Sequence, residues 1–270
     1  AVVESIRAQG KLDAELAGKL ARATSKAEIE DLYLPFKPKR RTRAEIAREK
    51  GLAPLAERIL ADRSVDPKAL AESFVTEEVA DAKAALDGAR DILAEQFAES
   101  ADLVGRLRGH MQGRARLRAR VVEGKEAAGE KFADYFDHVE RWADVPSHRA
   151  LAMLRGRNEE VLALDLEVDA DDPAPVKPVE AIIAETFGIP VPTPSRTTGA
   201  ADKWLLDMAR WCWRVKLSLS LSVELMGAMR ERAEEEAIRV FAANLKDLLL
   251  AAPAGTRATL GLDPGIRTGV

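Results

Sequence analysis

One segment constrains the fold more than any other, because the residues from Ala200 to Ala252 predict an almost continuous helix. In its first half, Leu206, Trp213 and Leu217 line one face. The opposite face carries Trp204, Met208, Trp211 and Val215. A helix that is apolar on two sides is buried on two sides, so we expect a central helix around which the chain folds. Serine competes for backbone hydrogen bonds, which predicts a break in this helix near Ser218 to Ser222.

The rest of the chain also favours helices over strands. Aromatic residues make up only 5% of the sequence, whereas Ala and Leu are abundant, and this bias favours helix. Pro35 and Pro38 interrupt the helical pattern in "YLPFKPKRR". The helical pattern resumes at about Thr42 and pauses at Gly51, and a long amphipathic helix is expected from Thr76 to about Ala98.

Two short segments alternate with a period of two, which is typical of strands with one buried face. In "RARLRARVV" the polar positions are all arginines, namely Arg114, Arg116, Arg118 and Arg120. The second run carries Asp165, Glu167 and Asp169 at its polar positions. Two interpretations stay open: the arginine face follows a phosphate backbone, or the two faces pair across neighbouring strands. The matching periodicity favours the second.

Charge is unevenly distributed along the chain. The net charge of −4 argues against a general nucleic-acid binder. Six arginines and no acid lie between Leu103 and Val122, whereas seven acids and no base lie between Glu159 and Asp172. This segregation predicts polarised surfaces, or basic and acidic segments that meet in the folded chain.

Several features predict a cytoplasmic protein that does not enter a membrane. Cys212 is the only cysteine, which excludes an internal disulfide and fits a reducing compartment. No apolar run reaches the roughly 18 residues that cross a bilayer, and no signal-peptide pattern opens the chain. Because the chain begins at Ala1 and ends inside a predicted strand and turn, "RATLGLDPGIRTGV", we expect it to be part of a longer protein.

A second basic segment, "KPKRRTR", precedes a predicted helix, and its cations are Lys37, Lys39, Arg40, Arg41 and Arg43. Together with the free N–H groups of the helix start, these cations predict a phosphate-binding surface. The alternative is a solvated loop, or one paired with acids elsewhere. The segment that follows has the spacing of a helix-turn-helix, but its second helix offers only Glu57 and Arg58 as polar side chains. We interpret it as a structural helix pair.

Motifs for catalysis are scarce. Asp263 follows an apolar run, a position where Mg²⁺ ligands occur, although Asp-Pro-Gly also simply makes a turn. A two-metal nuclease site needs several converging carboxylates, and the chain supplies only this one. The histidines His110, His138 and His148 have no metal-binding spacing, and no P-loop or nucleophile–base pair is found. We therefore expect no enzymatic activity, no cofactor and no metal site in this chain.

The segment "ATLGLDPGIRTGV" resembles the first strand and turn of the YqgF domain, an RNase H-like fold, in the bacterial Tex family of transcription accessory proteins. Further stretches are similar to the same family, in family order: "DLYLPFKPKRRTRAEIAREKGLAPLA", "GKEAAGEKFADYFDHVE", "PSHRALAMLRGRNE" and "AADKW" through "NLKDLLLAAPAG". The resemblance covers essentially the whole chain. It implies a cytoplasmic, nucleic-acid-binding factor linked to transcription, with helix-hairpin-helix elements and a C-terminal S1 domain as its main RNA-binding surface. It also implies an RNase H-like domain without a complete catalytic set.

Together, these observations predict a mainly α fold class. We expect a multi-helix scaffold with a long buried central helix, a small antiparallel β element and the first strand of an RNase H-like (YqgF) domain. The predicted regions are an N-terminal helical region at 1–104, a mixed region with the β element at 105–175, long central helices at 176–256, and the start of the YqgF domain at 257–270.

Three functions are compatible with the sequence. The first is sequence-independent binding of RNA or DNA through Lys37–Arg43 and Arg114–Arg120. The second is a protein-interaction scaffold that docks on the transcription machinery, with RNA polymerase or ribosome-associated machinery as partner, and leaves nucleic-acid binding to the S1 domain. The third and least supported is a metal-dependent nuclease that uses Asp263.

Overall fold

The structure is a computed structural model that describes residues 2–37, 41–193, 198–253 and 255–262. The helices of this part of the chain are α1 (Val2–Ala8), α2 (Ala14–Arg22), α3 (Lys26–Tyr33), α4 (Arg43–Glu49), α5 (Ala53–Ala61), α6 (Pro67–Glu72), α7 (Ala82–Ala98), α8 (Ala101–Arg114), α9 (Ser147–Asn158), α10 (Pro178–Thr186), α11 (Ala200–Cys212) and α12 (Ser218–Leu249). The strands are β1 (Arg116–Val121), β2 (Asp137–Arg141) and β3 (Leu162–Glu167). The predicted mainly α fold with a small antiparallel β element is confirmed.

Helix α7 lies at the centre of the N-terminal half, where α4, α5 and α6 pack against it. Its start differs from the prediction. Thr76 and Val79 form an isolated β-bridge instead of a first helical turn. The helix begins after Asp81, whose side chain accepts a hydrogen bond of 2.7 Å from the backbone N–H of Ala84. A capping aspartate satisfies a backbone donor that has no partner within the helix, and this fixes the boundary.

The predicted long helix is present as one continuous run from Ala200 to Leu249. The break predicted near Ser218 to Ser222 is wrong, since α12 already begins at Ser218 and continues without interruption. Instead, a π-helical segment at Trp213–Leu217 joins α11 to α12. The buried side chains of Leu221 and Leu225 hold the serine-rich turn against the core, and this packing outweighs the local preference of serine.

The two halves of this helix have different surroundings. Residues such as Met208 and Cys212 in α11 and Met229 in α12 are fully buried, which confirms a central helix in the core. Val215 was expected on an inward face and is instead 47% exposed. Past Ala233, α12 has no buried side chain among its residues, all of which the structure describes. The helix therefore organises the core in its first part and projects from it in its last.

The three strands form an antiparallel sheet in the order β2-β1-β3. Leu117 and Ala119 of β1 are fully buried and stand opposite Leu166 and Leu164 of β3. The alternation of polar and apolar residues thus gives β1 one core face and one polar face, as predicted. Strand β2 was not predicted, because its five residues, "DHVER", carry no clear alternation of apolar and polar side chains.

One hydrophobic core runs from Ala44 to Ala233 and includes buried residues on both sides of positions 104 and 175. The boundaries proposed at these positions stay a prediction. No helix among the described residues is long and apolar enough to span a bilayer.

The end of the described chain differs from the expected β-strand. Residues 257–262 are exposed and have no regular secondary structure, so the strand predicted there is not formed. A strand needs a neighbour to satisfy its backbone groups, and no described segment pairs with this one. Asp263 lies outside the described residues.

Candidate interaction surfaces

The basic segment before α4 is only partly described. Lys37 is exposed at the end of a short 3₁₀ turn, and Arg43 is exposed as the first residue of α4. Neither side chain forms an ion pair with a described residue. Arg41 pairs with Glu49, and the hydrogen bond to this carboxylate together with its charge raises the pKa of the Arg41 guanidinium. Lys39 and Arg40, which belong to the same predicted phosphate site, lie outside the described residues.

The start of α4 has fewer free N–H groups than the predicted phosphate site assumed. Thr42 caps the helix, and its hydroxyl accepts a hydrogen bond of 3.1 Å from the backbone N–H of Glu45. The Glu45 carboxylate in turn accepts a hydrogen bond of 3.1 Å from the N–H of Thr42. This capping box uses two donors and places a negative charge at the helix start. Phosphate binding at this helix start stays a prediction, and the Glu45 carboxylate there disfavours it.

Helices α4 and α5 form the structural pair that the sequence indicated. Leu55, Ala56 and Ile59 of α5 are fully buried. A recognition helix has to present polar side chains to the bases, whereas this helix faces the core.

The arginines of β1 and its flank all meet carboxylates. Arg118 and Arg120 share the carboxylate of Glu167 on the neighbouring strand, at 2.7 Å and 2.9 Å. Arg116 lies 2.8 Å from Asp171, and Arg114 lies 3.6 Å from Asp169. The predicted pairing of the arginine face with the acidic face is therefore confirmed. Phosphate binding by Arg114, Arg116, Arg118 and Arg120 stays a prediction, and it would require these pairs to open.

A partly buried ion cluster connects three helices that are distant in sequence. Arg108 of α8 contacts Asp31 of α3 at 2.8 Å and Glu224 of α12 at 3.0 Å. The Arg108 side chain is only 12% exposed. Burial raises the pKa of the Asp31 carboxyl above its ordinary value, and the hydrogen bond from Arg108 offsets part of that effect. The cluster links α12 to α3 and α8.

An open groove of about 700 Å³ lies beside the junction of α11 and α12, and we call it the arginine groove. Its charged lining residues are Arg157 at the end of α9, Asp165 of β3, Arg214 of the π-helical segment and Arg230 of α12. Val215, Leu219 and Val223 line it as well, together with Leu164, Leu166, Met226, Ser218, Ser222 and Gly227. Arg157 and Arg214 form no ion pair with any described residue, and Arg230 makes only a 3.7 Å contact with Glu234.

Sequence reasoning missed this groove. Its residues come from α9, β3 and the helix after Cys212, so no short motif contains them. One local signal exists, since Val215, Leu219 and Val223 recur every four residues and therefore share one side of a helix. Only Val215 of these three was considered, and it was assigned to an inward face.

The described residues contain no group of three or more His, Cys, Asp or Glu side chains that could hold a metal ion. His110 instead contacts Asp169 at 2.7 Å, and His138 contacts Glu140 at 3.0 Å. Burial raises the pKa of the Cys212 thiol to about 12, so this cysteine is protonated at neutral pH and unsuited to nucleophilic chemistry.

Comparisons with known proteins identify the family. A family model described as "Tex central region-like" matches residues 62–241. The chain is 52% identical over 272 residues to the transcriptional accessory protein Tex of Neisseria gonorrhoeae, covering 100% of this chain and 35% of that protein. It is 53% identical over 272 residues to protein tex of Bordetella pertussis, covering 100% of this chain and 34% of that protein. It is 24% identical over 305 residues to S1 RNA-binding domain-containing protein 1 of Homo sapiens, covering 99% of this chain and 27% of that protein.

The chain thus spans about a third of the length of these relatives. The family model covers most of the chain, including the sheet, the arginine groove and the buried part of the long helix. The chain belongs to the Tex family.

Proposed function

We propose that this chain is the interaction-scaffold part of a transcription accessory factor that acts in the cytoplasm. The name of the Neisseria gonorrhoeae relative supports a role in transcription. The single observation that carries the scaffold role is the helix from Ala200 to Leu249. At 1.5 Å per residue such a helix is roughly 75 Å long, and it joins a buried core to an exposed, projecting end.

The exposed end of α12 has the character of a surface that other parts of an assembly contact. Ile238, Phe241 and Leu245 are exposed there, and they are followed by Leu248 and Leu249. Large apolar side chains that recur on an exposed helix indicate an interface more often than a solvated surface. The partners that we propose are RNA polymerase or ribosome-associated machinery, and the scaffold has no enzymatic activity of its own.

Sequence-independent binding of RNA or DNA through the basic segment is the second candidate. One observation favours it: Lys37 and Arg43 are exposed and have no acidic partner among the described residues. The human relative is named for an S1 RNA-binding domain, which supports RNA as a ligand of the longer protein. The paired arginines of β1 contribute less, because their charge is already balanced by Glu167, Asp169 and Asp171.

Two titrations separate these candidates. Fluorescence anisotropy with single-stranded RNA, single-stranded DNA and duplex DNA at two salt concentrations measures nucleic-acid binding. We expect weak binding that is unchanged in a Lys37→Ala/Arg43→Ala variant. A salt-sensitive affinity that this variant or a Lys39→Ala/Arg40→Ala/Arg41→Ala variant loses would favour the second candidate. Biolayer interferometry against purified RNA polymerase and purified ribosomes tests the scaffold, and the absence of saturable binding to either contradicts it.

A further inference from the structure

We propose that the arginine groove is a docking site for an acidic amphipathic helix of a partner protein. This inference rests on the scaffold function proposed above and names the chemistry of one partner. The groove is open, holds about 700 Å³, and is formed by α9, β3 and the junction of α11 and α12.

The first argument is charge. Three arginines and a single acid, Asp165, line the groove. Arg157 and Arg214 have no ion pair with a described residue, in contrast to the arginines of β1, each of which meets a carboxylate. Unpaired guanidinium groups present fixed donors that match the geometry of carboxylates. The complementary ligand is therefore anionic.

The second argument is the apolar surface between these charges. Val215, Leu219 and Val223 are 47%, 66% and 67% exposed, and they form one ridge along the helix because they recur every four residues. Exposed apolar side chains are ordinary when they occur singly, but a contiguous ridge bordered by charged groups marks an interaction site. A ligand that fits the ridge carries its own apolar side chains at helical spacing.

The third argument is the backbone. The π-helical segment Trp213–Leu217 adds residues to the helical turn just before the groove. Regular helical geometry predicts an inward face for Val215, whereas the π-helical segment leaves both Val215 and Arg214 exposed to the groove. Short π-helical insertions within α-helices occur frequently at functional sites.

The same lining disfavours nucleic acid as the occupant. Among the described residues that line the groove there is no aromatic side chain, so bases have no ring on which to stack. An apolar ridge between arginines instead matches a helix with leucine on one face and glutamate on its flanks.

A pair of designed probes tests the proposal. The first is a fluorescein-labelled peptide of roughly 20 residues, long enough to form a helix, with leucine on one face and glutamate elsewhere. The second has lysine in place of every glutamate. Anisotropy titrations of the chain at two salt concentrations should show saturable binding of the glutamate probe only. Arg214→Glu should weaken that binding about tenfold, because an attraction becomes a repulsion.

Matched variants separate the groove from general effects. Leu219→Ser should weaken binding of the glutamate probe about fivefold, because the apolar contact with the probe is lost. Arg22→Glu removes an exposed cation on α2 that has no ion pair with a described residue, and it should leave the affinity for the glutamate probe unchanged. Leu248→Ser, at the exposed end of α12, should also leave it unchanged. The Arg157→Glu/Arg214→Glu variant should prefer the lysine probe. Circular dichroism of each variant verifies that the helices are intact.

Several results would overturn the proposal. One is absence of glutamate-probe binding by the folded chain, and another is binding that the groove variants do not change. Single-stranded RNA binding that Arg214→Glu abolishes would make the groove a nucleic-acid site. Sedimentation that shows self-association lost in Arg214→Glu would make the occupant a second copy. Probe binding that disappears when the chain is extended to the length of its relatives would make it a segment of the same protein.

The proposed scaffold function is measured separately by interferometry. Saturable binding of RNA polymerase or ribosomes without probe binding contradicts only the proposal that the groove binds an acidic helix. Probe binding that depends on Arg214 and Leu219, without either assembly being bound, contradicts only those partners.

Discussion

The chain uses arginine in two opposite ways, and the contrast separates structure from interaction. On β1, the arginine side chains lie on a strand face next to Glu167 and Asp171, and each positive charge is matched within the chain. In the arginine groove, Arg157 and Arg214 lie beside exposed aliphatic side chains and are unmatched within the described residues. An arginine that has an internal partner stabilises a tertiary arrangement, whereas one without a partner remains available to a ligand.

The apolar residues beside these arginines differ in the same way. Leu117 is buried beneath the β1 arginines, whereas Leu219 is 66% exposed beside Arg214. We therefore regard the sheet as part of the stabilising core and the groove as a surface kept open for contact. Substitutions in the two places should change different measured quantities.

The largest expected effect comes from truncating the two leucines. Leu117→Ala should lower the free energy of unfolding by about 2–5 kcal/mol, because it leaves a cavity in a packed core. Leu219→Ala should change it by less than about 0.5 kcal/mol, as is usual for exposed positions. Urea denaturation followed by circular dichroism measures both. Similar losses in the two variants would show that the groove ridge is part of the core and would remove the contrast.

The next effect concerns the partly buried ion cluster of Arg108, Asp31 and Glu224, which is a third use of arginine. Arg108→Met should lower the free energy of unfolding by about 2–3 kcal/mol, because Asp31 and Glu224 lose charged hydrogen bonds. Arg22→Met is the control, since Arg22 is exposed and has no ion pair with a described residue. Equal stability of the two variants would mean that the cluster contributes nothing to the position of α12.

The same cluster predicts a dependence on pH with a defined sign. The pKa of Asp31 is already raised by burial in the folded chain, and loss of Arg108 raises it further. A carboxyl whose folded pKa exceeds its unfolded pKa takes up a proton on folding as the pH falls, so acid relieves the cost of its buried charge. The difference in the free energy of unfolding between Arg108→Met and the parent chain should therefore become smaller as the pH is lowered from 7 to 5. A deficit that grows on acidification would contradict this assignment.

The sheet could be predicted from the sequence because its signal is local. Alternation over "RARLRARVV" assigns Leu117 to the core and Arg118 to the polar face without knowledge of any other segment. The acidic run has the same period, and the two charge patterns indicate their pairing. The long helix was predicted for a similar reason, since the periodicity of its apolar residues extends over many turns.

The arginine groove could not be predicted, for two physical reasons. Its arginines come from α9, the π-helical segment and α12, so their proximity depends on tertiary packing that no local pattern encodes. The π-helical segment also changes which side chains are buried, and assignment at 3.6 residues per turn placed Val215 on an inward face. The same limit explains the wrong prediction of a helix break at Ser218–Ser222. There, burial of Leu221 overrides the local preference of serine for non-helical backbone conformations.

A further prediction removes an acidic partner from the β1 arginines, so that they resemble the arginines of the groove. Glu167→Gln removes the acid that Arg118 and Arg120 share. It leaves Arg120 without an ion pair to a described residue and Arg118 with only its 3.5 Å contact to Asp137. Binding of single-stranded RNA should then increase several-fold at low salt and decrease steeply as salt is added. Glu77→Gln is the charge-matched control, since Glu77 is exposed, lies outside the arginine groove and has no ion pair with a described residue. Equal RNA affinity of Glu167→Gln and the parent chain would show that these arginines do not reach phosphate even when unpaired.

The smallest expected effect concerns the groove arginines themselves. Arg157→Ala and Arg214→Ala should each change the free energy of unfolding by less than about 0.5 kcal/mol, because neither cation has an ion pair with a described residue to lose. Arg116→Ala, which removes the contact with Asp171, is the comparison and should have the lower urea midpoint. If Arg214→Ala destabilises the chain as much as Arg116→Ala does, the groove arginine has a structural role. If Arg214→Ala is as stable as the parent chain and loses only affinity for the glutamate probe, binding alone explains the arginine at this position.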